Sequence, residues 1–335
     1  MYQSYYGLSA KPFQLKPDPQ FFFGSSGHKR AMAYLEYGLS QGEGFIVITG
    51  EIGAGKTTLV RGLFCKLESE KILAAQIVNT NLNAEDTLKM VVAAFGLPNE
   101  DGSKATLLTR LEQFLRQCDQ KGKRALLIVD EAQNLSPQAV EELRMLSNFQ
   151  TADKSLLQIF LLGQPEFRRT LLSHDMQQLQ QRVIATYHLG PLNLLETKGY
   201  IEHRLNTVGW NGDPSLNEDA FLEIYNFTGG IPRKINTLCD RLFLMGYLEE
   251  RHHFGSSDVA EVISDIQKEF ALPESEAASQ NVSDTLQTRQ EDDTQGSLES
   301  MDGRLFKMES SVISVLDLVK RILARPDSNI NDLNK

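Results

Sequence analysis

The sequence predicts an α/β domain built on a parallel sheet, followed by a small all-helical domain. Two observations carry that class. Short, wholly apolar runs alternate with segments of helical period up to about residue 190. Runs without polar alternation are strands buried on both faces, as a parallel sheet covered by helices requires. After Pro191 the apolar runs stop and only helical periods remain. A chain of 335 residues is long enough for both parts, at the usual ~100–200 residues per domain.

The elements follow in order. The first stretch is aromatic and proline-rich (Tyr5, Tyr6, Phe13, Pro17, Pro19, then Phe21, Phe22 and Phe23), and its prolines exclude a long helix before about residue 24. From Gly27 a helical period begins, with Met32, Leu35 and Leu39 in step. Phe45 to Thr49 predicts a buried strand, which feeds a glycine-rich turn and a helix from Lys56 to about Leu67. Ala74 to Val78 is strand-like, and residues 84–95 and 104–118 are helix-like. Ala125 to Val129 predicts a second fully apolar strand, ending at Asp130 and Glu131. Ser136-Pro137 opens another helix, since proline is tolerated in a first turn. Leu156 to Leu162 and Ala185 to Leu189 are further strands. Beyond Pro191, residues 195–208, 217–227, 232–249 and 257–269 are expected to be helical, with Asn217 and Ser257 as N-caps. Residues 271–300 are acidic and polar, the composition of a solvated linker. In 301–325, Leu305, Met308, Val312, Val315, Val319 and Ile322 repeat at alternating three- and four-residue spacing, as in a coiled-coil-like docking helix. The expected division is 1–190, 191–270, 271–300 and 301–325.

Composition narrows the function. A net charge of -10 argues against a broad basic face for nucleic acid, so nucleic acid is not the expected partner. Cys65, Cys118 and Cys239 are scattered, which suits free thiols in a reducing compartment and not a zinc site or disulfide framework. With no signal-peptide pattern and no apolar stretch of about 20 residues, the expected location is cytoplasmic. Lys307, Lys320, Arg321 and Arg325 would also allow peripheral contact with an anionic membrane.

The chemistry is carried by Gly50-Glu51-Ile52-Gly53-Ala54-Gly55-Lys56-Thr57, which fits G-x-x-x-x-G-K-[ST] and lies between an expected strand and helix. In such a loop, backbone N–H groups and the helix N-terminus face phosphates, the lysine reaches the β- and γ-phosphates, and the threonine hydroxyl binds Mg²⁺. These residues and the adjacent Thr58 are therefore expected to bind ATP. Asp130 and Glu131 follow an apolar strand, on the side of the sheet where ligands bind. There Asp130 would hold the Mg²⁺ water shell and Glu131 would polarise the attacking water. Gln164, after the strand Leu156–Leu162, is placed to sense the γ-phosphate or that water. Arg182, preceding the last strand, would complete a neighbouring subunit's site in a homo-oligomer. Arg233, at the start of a helix, would reach back to the γ-phosphate. The N-terminal aromatics and His28 are candidate base contacts, and Asn79 and Asn81 are candidates to orient Glu131.

Taken together these residues resemble a family. Tyr-Gly-Leu, Pro-Phe, Pro-Asp-Pro and His28 precede the phosphate loop, and Val-Asp-Glu-Ala-Gln-Asn-Leu, Leu-Gly-Gln-Pro-Glu, Gln-Arg-Val and Gly-Gly-Ile-Pro-Arg-Lys-Ile-Asn follow it. Over about residues 1–270 the set resembles the secretion ATPases of the ExeA (general secretion pathway A) type. Within them it is most similar to those of exosortase (PEP-CTERM) and exopolysaccharide loci. The resemblance implies an AAA+ P-loop NTPase with a five-stranded sheet and a helical lid, Mg-dependent ATP hydrolysis, and the roles given above for Lys56, Thr57, Asp130, Glu131, Gln164, Arg182 and Arg233. It also implies a protein partner in an envelope export or polysaccharide system. ExeA itself resembles a fusion to a transmembrane helix and a periplasmic peptidoglycan-binding domain. Neither is visible here, so direct action on the cell wall is not expected. The rival is a DNA-transaction ATPase of the transposition-helper type, whose core motifs are the same.

Overall fold

Five strands, β1 (Phe45–Gly50), β2 (Ile72–Ile77), β3 (Arg124–Val129), β4 (Leu157–Gly163) and β5 (Val183–Leu189), grow from the five apolar runs. Every neighbouring pair is parallel and the order is β2-β3-β4-β1-β5. The computed structural model describes residues 1–66, 71–78, 83–99 and 103–270. The linker expected over 271–300 and the helix expected over 301–325 lie outside these residues, as do Asn79 and Asn81.

α1 (Tyr2–Tyr5) opens the chain, and α2 (Ser26–Gln41), α3 (Lys56–Lys66), α4 (Ala84–Ala94), α5 (Lys104–Gln120), α6 (Pro137–Leu146), α7 (Pro165–Leu171) and α8 (Gln177–Gln180) accompany the sheet. The two-residue period of a strand explains why these runs must be apolar throughout. Phe45, Val47, Leu127, Val129, Ile159 and Leu161 pack on one side with side chains of α4, α5 and α6. Their immediate neighbours Ile46, Ile48, Leu126, Ile128, Phe160 and Leu162 pack on the other side with α2 and α3. Both faces are thus covered, and the carboxyl ends of β1, β3 and β4 are left to carry loops.

Local chemistry sets the helix starts. Ser25 caps α2, its Oγ accepting from His28 N at 3.2 Å. Ser136 caps α6, with Pro137 in the first turn as expected. Beyond the sheet come α9 (Leu194–Thr207), α10 (Glu218–Thr228), α11 (Pro232–Leu248) and α12 (Ser256–Phe270), with a small parallel pair, β6 (Ser215–Leu216) and β7 (His253–Phe254). Asn193 and Glu196 form a reciprocal capping box on α9. Asn217 does stand at the N-cap of α10, though its side chain makes no capping bond. Ser257 is not a cap. It lies inside α12, whose start is held by Asp219 Oδ2 accepting from Ser256 N and Asp258 Oδ2 accepting from Gly255 N.

Residues 1–23, grouped above with the sheet, fold into the helical part. Tyr2, Tyr6 and Phe13 place their rings 6.1, 5.7 and 5.3 Å from that of Phe243 on α11. Tyr2 also donates to Asp240 and Tyr6 to the Arg251 carbonyl. Sheet and helical part belong to one compact unit, Met1–Leu272. No helix among the described residues is long and apolar enough to cross a membrane.

Candidate nucleotide site

The loop Gly50–Thr57 runs from the end of β1 to the first turn of α3. Gly53 at φ 83° and Gly55 at φ 99° hold left-handed backbone that only glycine adopts without strain. Space makes the same demand. A Cβ on Gly55 would meet His28 Nε2 at 2.8 Å, and one on Gly53 would meet Arg233 Cβ at 2.3 Å. Lys56 is buried and donates to the carbonyls of Gly50 at 2.7 Å and Glu51 at 3.1 Å. Burial pulls its ammonium below the usual lysine value, against the opposing fields of Glu131, Asp130, Glu51 and Glu166.

At the end of β3, Asp130 is buried and its Oδ2 accepts from Thr57 Oγ1 at 2.9 Å. Burial raises the Asp130 pKa, while the bonds from Thr57 and the Glu131 N–H work against that rise. A hydroxyl and a carboxylate side by side are hard oxygen donors that suit Mg²⁺ shared with phosphates and water. Among the described residues no group of three or more His, Cys, Asp or Glu side chains could hold a metal alone. The residues therefore fit an ion that arrives with a nucleotide.

Glu131 turns the chain at φ 52° into a 3₁₀ turn over Ala132–Asn134. Its Oε2 accepts from Gln133 Nε2 at 2.6 Å and from Gln164 Nε2 at 3.2 Å. Gln133 Oε1 in turn accepts from Gln164 N at 3.0 Å. Burial pushes the Glu131 carboxyl up, but these amide bonds and the Lys56 charge outweigh it and hold the pKa below the usual value. Gln164, expected at the γ-phosphate or the water, thus bonds the carboxylate itself. Gln133 stands within the Val-Asp-Glu-Ala-Gln-Asn-Leu run, and the sequence reading assigned it nothing.

The cleft above the loop is roofed by the N-terminal stretch and the helical part. Leu15, Phe21, Phe22, Phe23 and His28 line it from one side, and Arg233 from the other. Of the aromatics proposed for the base, Tyr6 and Phe13 are instead spent, with Tyr2, in the helical core, where rings pack on rings. His28 lines the cleft but turns its polar atoms to protein: Nδ1 lies 2.7 Å from Ser25 Oγ, and the ring is hydrogen-bonded to the Ala54 backbone. Arg233 N donates to the Gly53 carbonyl at 3.2 Å, which seats the first turn of α11 on the phosphate loop. Arg204 was also unassigned. Buried on α9, it donates to the carbonyls of Pro12 and Gln14 and to Tyr200 Oη, with the Phe21 ring 4.7 Å away.

Arg182 is not in this cleft. Its carbonyl accepts from Phe45 N at 2.9 Å, at the opposite end of β1 from Gly50, and its side chain donates to Ser147 Oγ at 3.1 Å.

With this geometry in place, comparison with known proteins is direct. Residues 39–171 match the model of the AAA domain family, a span that holds β1, the phosphate loop, Asp130, Glu131 and Gln164. General secretion pathway protein A of Aeromonas hydrophila is 38% identical over 261 residues, which are 78% of this chain and 47% of that protein. This chain carries an AAA domain and is similar to that protein. It spans about half the length of that relative. Solved structures share the fold of this chain at low identity. The ORC2 protein of Aeropyrum pernix, in ADPNP and ADP complexes, is 17% identical with a TM-score of 0.59, covering 77% of this chain and 72% of that one. Cdc6p of Pyrobaculum aerophilum is 17% identical with a TM-score of 0.59, covering 78% and 74%. The RuvB branch migration motor of Thermotoga maritima is 19% identical with a TM-score of 0.52, covering 76% and 73%. The expected five-stranded P-loop fold is therefore what the chain adopts.

Proposed function

We propose that Lys56, Thr57, Asp130, Glu131 and Gln164 form the hydrolytic centre of this ATPase, and that it serves an envelope secretion system of the exosortase or exopolysaccharide-export kind. The observation that carries the first half is the joined pair Thr57–Asp130 beside the buried Lys56. Backbone donors of Gly50–Thr58 bind the phosphates, and Lys56 exchanges its two carbonyl partners for β- and γ-phosphate oxygens. Mg²⁺, when bound, neutralises phosphate charge; Thr57 and Asp130 are the residues that would hold it, Asp130 through water. Glu131, kept ionised by its amide donors, polarises a water whose oxygen bonds the γ-phosphorus as the bond to the bridging oxygen breaks and ADP departs. Gln164 and Arg233 report the γ-phosphate, Arg233 through the seating of α11 on the loop.

The test uses two variants. Lys56→Ala is expected to lose Mg-ATP binding, whereas Glu131→Gln binds ATP but turns over about 100-fold or more slowly, as removal of a general base does. Wild-type turnover in either variant refutes the assignment.

The secretion half rests on the 38% identity to General secretion pathway protein A. Glu131→Gln protein held with ATP and crosslinked in cells is expected to capture components of an envelope export system. Tight binding to duplex DNA that collapses as salt rises would instead make it a DNA-transaction ATPase, against its net charge of -10.

A further inference from the structure

Three hydrogen bonds close a circuit around the Glu131 carboxylate, which lines the cleft. Gln133 Nε2 and Gln164 Nε2 both donate to Glu131 Oε2, at 2.6 and 3.2 Å, and Gln164 N donates to Gln133 Oε1 at 3.0 Å. The circuit joins the loops after β3 and β4, two strands that are neighbours in the sheet. It is made possible by the left-handed turn at Glu131, which folds the side chain two residues on back towards the carboxylate.

The chemistry demanded of position 133 is narrow. It must donate to a carboxylate and accept from a main-chain N–H at once. A primary amide does both, while glutamate has no proton to give and lysine no lone pair to offer. The orientation of the amide is fixed as well. Turned over, its oxygen would face the Glu131 carboxylate and its NH₂ would face the Gln164 N–H, two repulsive contacts in place of two bonds.

We propose that Gln133 is a positioning residue for the hydrolytic step: its amide locks the Glu131 carboxylate to Gln164, so the two respond to the γ-phosphate as one unit. The proposal rests on the reading of Glu131 as the group that polarises water. Gln133 acts through Glu131 and not on the nucleotide, because its amide is consumed by the circuit.

The experiment measures kcat, KM for ATP and the melting temperature for the full chain and three variants. Gln133→Ala is expected to lower kcat about tenfold with KM unchanged, the loss of an interaction made in the transition state. Gln133→Glu keeps the acceptor for Gln164 N but has no proton to give Glu131, so the circuit is broken and kcat is expected to fall at least as far as in Gln133→Ala, again with KM unchanged. Gln133→Asn keeps the amide on a shorter stem and is expected to recover part of the lost rate. A residue that merely fills space would change the melting temperature and leave kcat in place. Should Gln133→Ala destabilise the chain, Gln133→Glu, which preserves shape, decides. Wild-type kcat in Gln133→Glu overturns the proposal while a slow Glu131→Gln leaves the underlying site standing. Wild-type turnover in Glu131→Gln removes both.

Discussion

The ring of His28 ties the first turn of α2 to the phosphate loop, through Ser25 Oγ at 2.7 Å on one nitrogen and the Ala54 backbone by a further bond. Phe22 closes over it edge-on at 5.7 Å. Burial holds its pKa below the ordinary 6.5, and the Ala54 bond and Glu196 offset that only in part. The unfolded chain then binds a proton before the native one does, so this group favours the folded state above pH 6.5 and costs stability as pH falls below it. The expected result is a melting temperature that declines below pH 6.5 in the wild type and declines less in His28→Gln, which offers an amide donor and cannot take up the proton; equal slopes would show that His28 is not the group responsible. The same contact explains why Gly55 is fixed, and why one motif was legible and its brace was not. Lys56, Thr57, Asp130 and Glu131 could be read because phosphate chemistry dictates their types and their spacing is local. The polar contacts of His28, Gln133 and Arg204 depend on backbone turns and on residues up to 192 positions away, which no local pattern displays.

Among the elements, the strands were plain from their apolar runs, since burial on both faces leaves no polar period to confuse them. The N-terminal stretch was placed less well. Aromatic residues without a period announce that they will be buried, not where, and here the helical part claims them. Arg204 is the clip. It joins α9 to the carbonyls of Pro12 and Gln14 and to the Phe21 ring, all in the stretch that roofs the cleft. Replacing it by alanine strands buried acceptors and removes a charged donor, at a cost of about 2–4 kcal/mol. We therefore expect Arg204→Ala to lower the denaturant midpoint and to weaken ATP binding together. Arg204→Lys should recover little of either, because a single ammonium cannot span the directions a guanidinium fork covers. A variant with unchanged nucleotide affinity, measured by titration with a fluorescent ATP analogue, would mean that the roof is not held by this clip.

At the scale of the whole molecule, the sheet places Arg182 where it cannot serve the site of its own chain. Phe45 pairs with Val183 and Gly50 with Leu189, so the length of β1 separates Arg182 from the phosphate loop. At ~3.3 Å per residue that separation is on the order of 16 Å, beyond the reach of an arginine side chain. Its partial burial and its bond to Ser147 at the end of α6 hold it at the other end of the sheet. Any part Arg182 takes in hydrolysis must then be played in a second copy of the chain, as arginines supplied in trans do in phosphoryl transfer. Arg182→Ala subunits keep an intact phosphate loop and lack the arginine; Lys56→Ala subunits keep the arginine and lack the loop lysine. Each alone is expected to be inactive, and a mixture is expected to recover turnover at every junction where an intact loop meets an intact arginine. Titrating one variant against the other should give activity that peaks at intermediate ratios. If mixed assemblies form, as a tag on one variant co-purifying the other would establish, and the mixture stays as inactive as its parents, Arg182 is confined to its contact with Ser147 and contributes nothing across a subunit boundary.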